Sequence, residues 1–380
     1  MPRRRGRAQC IILAHVNAVP ELEVFVREVF LVGVGATGFG RSGRSEEELG
    51  REAATAALAD AGLTARDVGA VALGISDAAQ RTGLPDLGLG DAHVAQVGRP
   101  AAWASRAMQM AWQTVAGGEY DVVLCVGAER LGLGGEGVEA NGGLPAQVAA
   151  ALRYMDSSGA TERHLARVAA KNRSLGADNP RALLATRVDA ETVLGSELLE
   201  WPLRRLMVAG SADGAAAAVF ASGPVRRRRG GHAARVRASV LLGDGDVGAA
   251  ISRAAALAYQ TAGLGPEDMD LAEVDDDTAA GEMAAYEALQ FAPHGQGPEL
   301  VESGFTALGG VLPVNTSGGL LAQGEAVGAS GIAQICEIAW QLRGEAGCRQ
   351  VSGARVGLAL SERRAPDRLP LVSLMILSGG

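Results

Sequence analysis

"ALADAGLTARDVGAV" (Ala57 to Val71) has an echo far down the chain, "LAYQTAGLGPEDMDLAEV" (Leu257 to Val274). Both run from an Ala/Leu-rich helix through Ala-Gly-Leu into an aspartate and then an apolar strand. Their Gly-Leu pairs, Gly62-Leu63 and Gly263-Leu264, are offset by 201 residues (263 − 62). A second echo joins "MAWQTVAGG" (Met110 to Gly118) to "IAWQLRGEAG" (Ile338 to Gly347), with Trp112 and Trp340 offset by 228. Two echoes at similar offsets imply an internal duplication of about 200 residues rather than a short-period repeat array.

Between the echoes, "VFLVGVG" (Val29 to Gly35), "DVVLCVG" (Asp121 to Gly127) and "AAAAVFAS" (Ala215 to Ser222) have the short, continuous apolar character of buried strands, and the long Ala-rich segments that of helices. Strands alternating with helices, twice over, predict an α/β fold with covered sheets. The expected division is an extension over 1–25, an N-terminal half over 26–225 with a loop region at about 130–205, and a C-terminal half over 233–380. The boundary falls near Pro224 to His232, where "RRRR" (Arg226 to Arg229) is expected to be a solvated connector.

Composition narrows the function classes. The chain has 380 residues, 48% hydrophobic and 21% charged, which suffices for a sizeable core. A net charge of −8 argues against a nucleic-acid footprint. Cys10, Cys125, Cys336 and Cys348 form no close pairs, so neither a zinc knuckle nor a disulfide framework is indicated, and a reducing cytoplasm is expected. The start resembles a secretory leader, but His15 and Asn17 interrupt its apolar run, and no segment approaches the length of a membrane span.

Several motifs have plain explanations. "GVGATG" (Gly33 to Gly38) matches a dinucleotide fingerprint but does not open a helix; the helix begins near Ser45, where Ser45 and Glu48 make a capping box. The glycines are expected to allow a tight turn after the strand. Lys171, the sole lysine, lies in a polar helical stretch expected to be exposed, so Schiff-base chemistry is disfavoured. "GSADGAA" (Gly210 to Ala216) lacks the strand-to-helix elbow of a hydrolase serine.

Taken in order, "VGVGATGFGR", "GGEYDVVLCVGAERL", "RYMDSSGATERHLARVAAKNR", "NPRA", "SADGAAAAVF", "YEAL", "NTSGG" and "WQLRGEAGCRQV" resemble the thiolase superfamily, most closely its sterol carrier protein x and lipid-transfer-protein branch. The resemblance implies a thiolase-like fold of two similar α/β halves in a five-layer αβαβα arrangement. That chemistry needs an acylatable cysteine at a helix N-terminus and histidines to move protons. Here the nucleophile position falls on Ala101, which cannot be acylated. One histidine position falls on Asp275, followed by Asp276 where the family also has aspartate. The other falls on Glu325, with Ala326 in place of proline. The family's C-terminal glycine-rich segment, which in many members carries a second cysteine, is replaced by "SERRAPDRLP" (Ser361 to Pro370).

The resemblance therefore implies a pocket with Asp275 and Glu325 as acid and base, lined by Asp276, Asn315 and Gly328, with no metal and no resident cofactor. A coenzyme A thioester would be its substrate or ligand. Two functions stay open: aldolase-like carbon-carbon bond chemistry on acyl-CoA esters with an OB-fold, zinc-ribbon partner, or a catalytically silent subunit supporting a cysteine-bearing paralogue. A dimer, homomeric or with a paralogue, is expected, paired through "DVVLCVG" and the helix beginning near Ala101.

Overall fold

The computed structural model describes residues 27–74, 88–89, 92–96, 103–130, 143–184, 186–229, 231–243, 245–365 and 368–380. In chain order the elements are β1 (Val29–Ala36), α1 (Glu46–Asp60), β2 (Ala70–Gly74), β3 (His93–Gln96), α2 (Trp103–Ala116) and β4 (Val122–Glu129). An excursion follows, with α3 (Gly143–Ser158), α4 (Glu162–Gly176), α5 (Ala190–Leu194) and the hairpin β5 (Leu198–Glu200) and β6 (Leu203–Arg204). The chain returns as β7 (Gly214–Ser222) and passes through α6 (Gly223–Arg229). The second half holds β8 (Ala234–Gly243), α7 (Val247–Ala262), β9 (Leu271–Val274), α8 (Ala279–Ala288), α9 (Gly297–Glu302), α10 (Gly319–Gln323), α11 (Ser330–Arg343), β10 (Val356–Ala365) and β11 (Arg368–Gly379).

The larger sheet has nine strands in the order β3-β2-β4-β7-β1-β8-β11-β10-β9. Outward from the β1/β8 junction, both halves follow one rule. The first strand pairs antiparallel with the last, that strand antiparallel with the third, and the third parallel with the second. Thus β1, β2, β4 and β7 correspond to β8, β9, β10 and β11, and the duplication inferred from sequence is the topology observed. The counterpart of β3 is reduced to one parallel bridge, Ala272 to Val314.

The echoed stretch explains why each half turns as it does. Gly62 and Gly263 both adopt left-handed φ, 60° and 65°, just beyond α1 and α7, where a side chain would be strained. A single 3-10 turn follows in each, Ala65–Asp67 and Pro266–Asp268. Asp67 accepts the Thr64 N–H at 2.9 Å and Asp268 the Gly265 N–H at 2.8 Å, which directs the chain into β2 and β9.

Alternation along the strands separates three cores. Val71, Leu73, Leu124 and Val126 face α1, whereas Ala70, Ala72, Val123 and Cys125 face the middle of the molecule. In the second half Leu374 and Ile376 face α7, while Met375 and Leu377 face the middle. The middle layer is α2 and α11, the two helices that carry Trp112 and Trp340. The layers are α1, half-sheet, α2 with α11, half-sheet, α7, and the excursion packs with α7 and α8 over the outer face of the second half.

Three expectations need correction. Gly33 and Gly35 lie within β1 and make no turn; a Cβ would stand 2.2 Å from the Ala57 carbonyl at Gly33 and 2.5 Å from the Ala53 carbonyl at Gly35, so both let α1 approach the strand. The β4 segment is interior, hydrogen-bonded to β2 on one side and β7 on the other, so it has no free edge to pair with a second chain. Lys171 is largely buried rather than exposed, and pairs with Glu282 at 2.8 Å. "RRRR" ends α6, the short helix that joins β7 to β8, and Arg227 and Arg228 are exposed there, as a solvated connector requires.

Candidate active site

β9 ends at Val274, and the next residue, Asp275, continues its ladder by donating its N–H to the Leu360 carbonyl of β10 at 3.0 Å. This puts the Asp275 carboxylate beyond the carboxyl end of a parallel strand pair, where open α/β sheets place ligands. Glu325 comes from the turn between α10 and α11. Its backbone is fixed at both sides, its N–H donating to the Gly210 carbonyl at 2.6 Å and its carbonyl accepting from the Ala212 N–H at 2.8 Å. Gly328 holds the same turn against β4: its N–H donates to Glu129 Oε2 at 3.0 Å, and a Cβ there would meet the Ala128 carbonyl at 2.3 Å.

The two carboxylates meet at Arg363. Its Nη1 lies 2.9 Å from Asp275 Oδ2 and 3.0 Å from Glu325 Oε1, with all three side chains 5% exposed or less. Asp275 is further held by Gln334 Nε2 at 2.7 Å, the Glu362 N–H at 2.8 Å and Ser361 Oγ at 3.3 Å. The Glu325 contact is an ion pair lacking hydrogen-bond alignment, so Glu325 Oε1 accepts no hydrogen bond.

Burial governs the protonation of this group. It pushes the Glu325 carboxyl up to about 7; Arg363 opposes the shift, and Asp275, Asp277 and Glu129 add to it. Burial also raises Asp275, against the pull of Arg363 and the Glu362 N–H. Burial disfavours the charge on Arg363, but Asp275 and Glu325 outweigh it and raise its pKa. The result is a desolvated cation between two acids, one of which titrates near neutrality.

Arg363 was not singled out from sequence. It belongs to "SERRAPDRLP", and the signal available there was a charged run where the resemblance implies a glycine-rich segment. Asp276 and Asn315, expected to line the pocket, are tied into the framework. Asp276 accepts the Leu320 and Leu321 N–H groups at 2.6 and 3.3 Å, starting α10. Asn315, at φ 57°, accepts the Val274 N–H at 2.8 Å and donates to Glu282 at 2.7 Å. Glu282 also takes Lys171 and a hydrogen bond from Tyr286, which closes a separate buried polar network.

Ala101 lies outside the described residues, as does Cys10. Cys125 on β4 and Cys336 on α11 are wholly buried, and burial lifts the thiol of each, Cys336 to about 12, so neither offers a thiolate. Cys348 is exposed. Among the described residues no cluster of His, Cys, Asp and Glu could hold a metal ion, and no helix is long and apolar enough to cross a membrane.

Comparison with known proteins identifies the family and the fold. Residues 29–141 match the family described as Thiolase, N-terminal domain, and residues 244–363 the family Thiolase C-terminal domain-like. Sterol carrier protein 2 of Homo sapiens is 32% identical, over 88% of this chain and 69% of its own length. An acetyl-CoA acetyltransferase of Methanothermobacter thermautotrophicus is 33% identical, over 88% of this chain and 95% of its own. Among solved structures, the Ltp2-ChsH2(DUF35) aldolase superposes with a TM-score of 0.81 at 27% identity, covering 92% of this chain and 97% of that one. The chain belongs to the thiolase superfamily, in its sterol carrier protein 2-like branch, and has the thiolase-like fold.

Proposed function

We propose that the chain makes or breaks carbon-carbon bonds in acyl-CoA-type thioesters by aldol chemistry, with Glu325 and Asp275 as its base and acid. The observation that carries this reading is the buried Asp275–Arg363–Glu325 group, in which a carboxyl near 7 can take up and release a proton at neutral pH. In the cleavage direction, the Glu325 carboxylate takes the proton of a β-hydroxyl. That oxygen becomes a carbonyl as the Cα–Cβ bond breaks, and the bond's electron pair passes to Cα and onto the thioester oxygen. The carboxyl pair then returns a proton to Cα. No acyl-enzyme forms and no oxidant is needed, which suits a chain with alanine at the nucleophile position and buried thiols at Cys125 and Cys336. The coenzyme A thioester is the substrate and no resident cofactor is required.

The likeness to an aldolase whose name joins two components supports both the chemistry and a partner subunit, expected to be an OB-fold protein with a zinc ribbon. A second reading, a catalytically silent subunit beside a cysteine-bearing thiolase-like partner, is favoured by one fact: Arg363 contacts both carboxylates, as it would in a retired pocket.

The deciding assay supplies 3-hydroxyacyl-CoA esters to the chain, alone and with each candidate partner, and follows release of an aldehyde or ketone with a shortened acyl-CoA. Turnover that falls about 100-fold or more in Glu325→Gln, with folding and partner binding intact, is expected. Absence of turnover under all these conditions, with stimulation of a paralogue's thiolase activity, would establish the silent subunit.

A further inference from the structure

Arg363 is committed at one nitrogen and free at the other. Nη1 meets Asp275 Oδ2, Glu325 Oε1 and the Glu362 carbonyl, the last at 2.8 Å. Nη2 is buried with no hydrogen-bond partner. A buried donor without an acceptor is unfavourable, and native structures keep one where a ligand or ordered solvent completes it. Beside it is an acceptor in the same condition, Glu325 Oε1, which touches the other nitrogen of the same guanidinium.

An unpaired donor and an unpaired acceptor flanking one guanidinium call for a ligand with the opposite pattern. A carboxylate would satisfy Nη2 but repel Glu325, and an ammonium would satisfy Glu325 but repel Arg363. A carbonyl oxygen two carbons from a hydroxyl satisfies both. We propose that Arg363 Nη2 binds the thioester carbonyl oxygen, so that Arg363 stabilises the enolate formed on that oxygen while Glu325 Oε1 faces the β-hydroxyl. The identity of the oxygen rests on the aldol reading above; the demand for an acceptor at Nη2 does not. Gln334 is a positioning residue for this arrangement, because its Nε2 holds Asp275 Oδ1 at 2.7 Å and so keeps Asp275 Oδ2 on Arg363. A preorganised donor at a developing oxyanion is typically worth about 10²–10³ in rate.

Acetoacetyl-CoA tests this without carbon-carbon cleavage. On binding, its α-proton passes to the Glu325 carboxylate, the electron pair moves onto the oxygen, and the resulting enolate absorbs in the near ultraviolet. The wild type, saturated near neutral pH alone or with its partner, is expected to raise enolate absorbance above that of the free ligand. Arg363→Lys keeps a cation between Asp275 and Glu325 but has no second nitrogen; it should lose the signal at least about tenfold while its affinity for free coenzyme A is unchanged. An equal signal in Arg363→Lys, or none in the wild type, would overturn the inference. An Arg363-dependent enolate signal without aldol turnover would uphold it while the aldol reading failed; turnover indifferent to Arg363→Lys would do the reverse.

Discussion

Glu325 ionises near 7 because it is buried, and this gives the residue two separate signatures. As a base it must be ionised, so kcat/KM for cleavage is expected to rise with pH and level off above about 7, a limb that Glu325→Gln abolishes together with the activity. Stability has the opposite sign. Folding raises this carboxyl from its ordinary value of about 4.5 to about 7, so the folded chain binds the proton more tightly. The resulting stabilisation is complete below 4.5 and is lost as pH rises through 7. The unfolding free energy of the wild type relative to Glu325→Gln should therefore decline across that window in denaturant titrations at several pH values. At the thiols, intact mass after incubation with short-chain acyl-CoA is expected to show no acyl adduct on Cys125 or Cys336, since neither has a solvent path or an accessible thiolate. The resemblance drew attention to Asp275 and Glu325 in the sequence, but not to the arginine that lies between them. Arg363 is 88 residues from Asp275 in the chain and is brought to it because β10 runs beside β9.

Helix and strand packing accounts for what pattern reading inverted. Gly33 and Gly35 resemble turn glycines in a fingerprint, yet each removes a side chain from the seam between β1 and α1. Gly33→Ala is expected to destabilise by about 1–3 kcal/mol or more, seen as a lower denaturant midpoint with little change in slope, because the nearest atoms are α1 backbone that cannot step aside. Periodicity cannot distinguish these two uses of glycine, since the partner surface is a helix some twenty residues later. Lys171 was misjudged for a related reason: its helix has polar neighbours in sequence, but the fully buried Glu282 draws it inward from another element. The capping box at Ser45 and Glu48 depends only on residues three apart, and both of its hydrogen bonds are present, at 2.8 and 3.1 Å.

At the scale of the molecule, the repeated Gly-Leu turn and the repeated tryptophan helix were enough to announce two halves, because a duplicated topology leaves its mark wherever a backbone position is strained or a core position is large. Assembly was less legible, since β4 has an apolar sequence whether it faces a partner or its own sheet. Among the described strands β3 borders only β2 and is the exposed margin of the first half-sheet, which makes it the place where a second chain could add. Sedimentation is expected to show a dimer, with itself or with a paralogue; monomer alone and with every candidate partner would refute this. The strand order has one more consequence, for synthesis on the ribosome. The first half-sheet has all its strands once Ser222 has emerged, but β11 lies between β8 and β10, so the second cannot assemble until residues 368–379 are made. At about 5–20 residues per second the nascent chain waits roughly 10–30 s in between. Until β8 emerges and docks, β1 offers an unpaired edge, and until α11 is made α2 shows the face of Met108 and Trp112 that α11 later covers; β8 and β10 then wait for β11 to join them. A folding helper that shields nascent chains has its natural target there, and ribosome-bound chains halted between Ser222 and Arg368 should be more susceptible to protease and to aggregation than chains released after Gly379.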